Sequence, residues 1–72
     1  MPSFSERIKE LRQKNKVTQK SVAESVSMSE RNYIDLEHGK FKPNHDNIIK
    51  LADYFDVSAD YILGRSDNPS RK

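Results

Sequence analysis

The side chains able to do chemistry are few. Histidine occurs only at His38 and His45, and cysteine does not occur. Catalysis needs a nucleophile and base, or a metal cluster, converging in a cleft. Thiolate ligation is excluded outright. His45-Asp46 and Glu37-His38 are the histidine–acid neighbours, and no Asp/Glu pair is forced beside either histidine by helical spacing. Enzyme activity, a metal, a cofactor and a small-molecule substrate are therefore not expected. What remains is hydrogen-bonding and ion-pairing capacity, concentrated in Ser29-Glu30-Arg31-Asn32 with Asp35 one helical turn on. Arg31 and Asp35, four residues apart, can pair along one helix surface, an interaction worth about 0.2–0.5 kcal/mol.

The charge is uneven. The whole chain is formally +2, but residues 1–42 hold nine Lys/Arg against six Asp/Glu, a net +3. Residues 43–64 hold one against four, a net −3, and residues 65–72 return +2. A basic front and an acidic back suggest a polyanion on one face, most often nucleic acid. No run of 18 apolar residues occurs and the first residues carry no secretory pattern, so no membrane contact and a cytoplasmic location are expected. Seventy-two residues allow one domain. A core that small supplies only ~3–5 kcal/mol, and without cysteine no disulfide can add to it. The expectation is an economical helical bundle, help from a partner chain, or both.

Five helices must position these groups, each with its own start signal. Ser3 with Glu6 forms a capping box ahead of Phe4, Ile8 and Leu11 at helical spacing, and that helix ends near Asn15-Lys16. Thr18 caps a second helix with Val22, Ala23 and Val26 inward, and Ser29 caps a third that runs through about His38 to a stop at Gly39. Lys40–Pro43 reads as an extended loop, because proline disfavours helix at the preceding residue. Asn44 caps a fourth helix through Phe55, and Ser58 a short fifth ending at Gly64. No strand pattern or internal repeat occurs. The chain is all-α, with residues 1–64 as one domain and residues 65–72 as a polar tail, expected to be either frayed or a cut linker. In the second and third helices, joined by about three residues, the small Ala23 permits a close, steep crossing. That is a helix-turn-helix, which holds the first turn of its third helix exposed, at a diameter that suits a DNA major groove.

The stretches Gln19–Glu24, Ser29–Tyr33, Glu37–Lys40, Leu51–Ser58 and Asp60–Asp67, with Pro43, resemble the XRE/Cro-repressor (lambda repressor-like) family of bacterial and phage regulators. The resemblance spans residues 4–67. It implies sequence-specific binding of double-stranded DNA, usually as a homodimer, by a transcriptional regulator of repressor type. By position it places Ser29, Glu30, Arg31, Asn32 and Asp35 on the base-reading surface, with Arg31 able to donate two bonds to guanine O6 and N7. It places Gln19, His38, Lys40 and Lys42 at phosphates, which position the protein without specifying sequence. It pairs Arg12 with Glu37 as a buried, structural ion pair.

The chain departs from the family pattern at Lys16 and Ser27, turn positions where glycine is common. A positive φ at either would cost about 1 kcal/mol. His45 and Ala59 replace apolar residues, which trims the core and favours a partner chain; His45 is expected at the rim. Ile49, Tyr54, Tyr61 and Ile62 exceed what so small a core can hold and are expected to contribute a dimer patch. The competing class is an antitoxin-like protein-interaction module on the same fold. With no room for a ligand domain within these residues, signal input is expected through another protein, proteolysis or the dimer equilibrium.

Overall fold

A computed structural model describes residues 3–40 and 42–71; Met1, Pro2, Phe41 and Lys72 lie outside the described residues, and with Phe41 the centre of the expected Lys40–Pro43 loop. Among the described residues there are five helices and no strand: α1 (Phe4–Lys14), α2 (Gln19–Ser25), α3 (Glu30–Glu37), α4 (His45–Phe55) and α5 (Ala59–Ile62).

Each helix begins on a side-chain oxygen. Ser3 accepts from the Glu6 amide while Glu6 reaches back to the Ser3 amide. Thr18, Ser29, Asn44 and Ser58 accept from Ser21, Asn32, Asn47 and Tyr61 at 2.8–3.1 Å. Each satisfies one of the amides that a helix start leaves free. The helix ends are equally uniform. Lys16, Ser27, Gly39, Asp56 and Gly64 all take positive φ, between 56° and 79°. At each, two amides fold back onto the last turn: Gly39 N–H reaches the Leu36 carbonyl at 3.2 Å and Lys40 N–H the Asp35 carbonyl at 3.0 Å. Equivalent pairs close the other four helices. This is the Schellman closure, for which glycine is the usual residue. Lys16 and Ser27 thus adopt the strained backbone that their departure from glycine raises, and Asp56 is a third case.

The apolar stripes meet in one core. Ile8 of α1, Val22 of α2, Tyr33 and Leu36 of α3, Leu51 of α4 and Ile62, the last residue of α5, are fully enclosed. Ala23 is 1% exposed, so α2 and α3 cross closely and form the most extensive helix pair in the molecule. The core corrects one expectation: Ile62 is 0% exposed and cannot belong to a surface patch. A four-residue helix is held only by what it buries, and enclosing an isoleucine stabilises by roughly 1.5–3 kcal/mol. His45 and Ala59 are exposed, so their small or polar side chains do not trim the core.

The described part of the tail folds back onto the body. Ser58 N–H donates to the Pro69 carbonyl at 3.0 Å. Arg71 donates to the Ala52 and Val57 carbonyls at 3.0 and 3.1 Å and to Asp53 at 2.6 Å. A cation is thereby seated on the carbonyl end of α4, where the helix dipole favours it.

Candidate nucleic-acid interface

The surface presented by α3 follows from what α3 buries. Tyr33, Leu36 and Glu37 face inward, so Arg31, Asp35 and His38, four and three residues apart, run along the outward line. Glu30, Arg31 and Asn32 are exposed on the first turn. Ser29 is exposed too, but its oxygen accepts the Asn32 amide, so its first task is capping. Arg31 Nε stands 3.9 Å from Asp35 Oδ2, and Lys40 Nζ 3.9 Å from Asp35 Oδ1. His38, Lys40 and Lys42 are exposed just beyond α3.

Glu37 anchors this helix from beneath. Its side chain is 1% exposed, with Arg12 Nε 2.5 Å from Oε2. Arg12 Nη2 and Gln19 Nε2 donate to Oε1 at 3.2 and 3.1 Å, and Arg12 Nη1 donates to the Val17 carbonyl at 3.2 Å. One cluster therefore ties α1, the start of α2 and the end of α3. Burial alone would raise the Glu37 carboxyl, but hydrogen bonding, first from Arg12 and also from Gln19, holds it below the usual carboxylate range. Burial, and next the Glu37 carboxylate, push the Tyr33 phenol far up, although its hydroxyl makes no well-formed hydrogen bond. Gln19 thus spends an amide proton inside the protein, where the family resemblance implies a phosphate contact.

The remaining candidates scatter. Ile49 is 42% exposed on α4, whereas Tyr54 and Tyr61 are half-buried. Tyr54 packs edge-on against Phe55. The Tyr61 ring lies 3.9 Å beneath the Arg7 guanidinium. Arg7 itself is 5% exposed, with Nη2 3.5 Å from Asp67. Sequence reasoning missed Arg7. The signal was its place in the α1 stripe, between Phe4 and Leu11 beside Ile8.

Two closely crossed short helices, with the second held proud of the body, define a helix-turn-helix domain. The chain belongs to that family: the helix-turn-helix domain family matches residues 5–67, in the five-helix form of the lambda-type repressors. It is 39% identical over 70 residues to the HTH-type transcriptional regulator ImmR of Bacillus subtilis (strain 168), covering 97% of this chain and 54% of that protein. An uncharacterized HTH-type regulator of the same organism, YobD, is 36% identical over 69 residues, covering 96% and 62%. The chain thus spans little more than half the length of these curated relatives. In structure it resembles the P22 c2 repressor solved in complex with a synthetic operator, with a TM-score of 0.84 and 27% identity over 92% of this chain and 100% of that one.

Proposed function

We propose that this chain is the sequence-specific double-stranded DNA-binding unit of a transcriptional regulator, of repressor type, with α3 lying in the major groove. The observation that carries the reading is the exposed first turn of α3, with Arg31 and Asn32 projecting from a helix whose opposite face is fixed through Glu37. Arg31 is the guanine reader, Asn32 pairs with adenine or a phosphate, and Glu30 accepts from cytosine N4 or orients Arg31. Lys40, Lys42 and His38 hold phosphates beside the helix. The second Gln19 amide proton and the first amides of α2 do so at its other edge. A similar fold bound to operator DNA in the P22 c2 repressor supports this orientation.

The reading includes a two-fold dimer. One copy carries a single recognition helix, α3, and successive major grooves on one duplex face lie roughly 34 Å apart. Two copies are needed to read two half-sites. Selection of binding sites from a random duplex pool at fixed salt tests both points. The expected result is a pair of inverted half-sites about one helical turn apart, with two copies per duplex by sedimentation. Convergence on no sequence would refute the base reading; one copy on a site without repeats would refute the dimer.

A further inference from the structure

We propose that Asp35 is a positioning residue for Arg31 rather than a reader of bases, a reading that rests on the DNA-binding function above. The carboxylate is the fixed member of the pair: the Asp35 side chain is 22% exposed and that of Arg31 85%. Its two oxygens face two cations, Oδ2 toward Arg31 Nε and Oδ1 toward Lys40 Nζ, each at 3.9 Å. The Lys40 side of this arrangement is set by the main chain, because Lys40 N–H donates to the Asp35 carbonyl at 3.0 Å. An ionised carboxylate only accepts, so to read a base it would have to turn an oxygen from its cation toward a cytosine or adenine amine. Here both oxygens are turned to cations.

Helix stability does not account for the pair. Arginine ahead of an acid is the weaker order for a four-residue spacing, and a cation in the first turn lies at the wrong end of the helix dipole. The geometry accounts for it differently. With Nε the atom set toward Asp35, the carboxylate biases the Arg31 guanidinium along the outward line of α3, from which a guanidinium can offer two parallel N–H bonds to guanine. At 3.9 Å the contact is longer than a charge-assisted hydrogen bond of about 2.7–2.9 Å, so it steers the guanidinium without holding it. The locked Arg12–Glu37 pair, at 2.5 Å, is the contrast.

The test is site selection, with affinity measured at fixed salt, for the wild type, Asp35→Asn, Arg31→Ala, the double variant and Lys40→Ala. Thermal melts confirm that each is folded. Asp35→Asn is expected to relax preference at the same base pair as Arg31→Ala, by roughly three- to tenfold. Affinity for random duplex should be retained or raised, since a negative charge is gone. The double variant should match Arg31→Ala at that base pair, and Lys40→Ala should leave the preference there intact while lowering the salt slope. A change at a different base pair, additive with Arg31→Ala, would make Asp35 a base reader and overturn the proposal. So would an unchanged preference profile in Asp35→Asn. Absence of any preference in the wild type would overturn the DNA reading itself and this proposal with it.

Discussion

Glu37 is a carboxylate with almost no access to water and three donor nitrogens from Arg12 and Gln19 upon it. Such a group is costly to leave half-satisfied. Glu37→Gln keeps the shape but strands the Arg12 charge, and breaking a buried pair from one side costs ~3–5 kcal/mol. The lower end applies, because Arg12 is 16% exposed and keeps the Val17 carbonyl. A loss near 3 kcal/mol would consume most of the stability expected at this size, so chemical denaturation should find the variant largely unfolded. The pH dependence follows from the lowered Glu37 pKa. Its stabilisation is complete above the ordinary carboxylate value of about 4.3 and is lost as pH falls through the lower folded-state value. Acid titration of the wild type should show that loss, and a Glu37→Gln protein refolded with osmolyte should show a shallower one. Among the surface groups, Arg31→Ala should cost ~1–3 kcal/mol at the best site and relax one base position. Lys42→Ala should weaken every duplex alike and reduce the salt slope by about one. Binding isotherms at several salt concentrations separate the two; an unchanged slope would put Lys42 in solvent.

At the scale of the element, the five helices share one design, a polar cap at the start and a left-handed residue past the end. The starts were legible because capping is local: Ser, Thr or Asn accepts an amide three residues on, whatever surrounds it. The ends were legible only in part. Gly39 and Gly64 announce themselves, and Lys16 and Ser27 stood out only against the family's glycines. Asp56 carried no signal, because aspartate tolerates the left-handed region through its short polar side chain. A prediction belongs here. Ser27→Gly and Lys16→Gly each relieve a positive φ of 57° and should raise stability by up to about 1 kcal/mol, net of the added freedom of glycine in the unfolded chain. Gly39→Ala should do the reverse, since φ is +72° and a Cβ would come 3.3 Å from the Ser5 oxygen. Melting temperatures of the three variants check this, and equal values would show that the turns carry no strain.

For the whole molecule, the chain past Gly64 works as a clasp. Arg71 closes the end of α4, Pro69 satisfies the start of α5, and Asp67 approaches the buried Arg7 over Tyr61. Arg71 is 44% exposed, so water replaces part of what it supplies. Arg71→Ala is expected to cost about 1 kcal/mol, a fall of some 4–8 °C in Tm for a domain of this size. Differential scanning calorimetry measures it directly; an unshifted Tm would mean that the tail adds no stability. Of the four residues expected at a dimer patch only Ile49 is exposed, since Ile62 is enclosed and Tyr54 and Tyr61 are half-buried.

Taken alone, the sequence determined the five helices, their caps, the inward stripes and the helix-turn-helix, because these depend on residues within a few positions of one another. Family resemblance added the expectation of which residues on that exposed first turn would read bases and which beside it would hold phosphates. Only the tertiary structure decided that Ile62 is core, that Arg7 is buried, that Arg71 folds back on the end of α4, that Gln19 turns toward Glu37, and that Asp35 stands between two cations. The physical reason is the same in each case. A long or amphipathic side chain has several partners in reach of its backbone position, and which one it takes depends on elements brought together from distant parts of the chain.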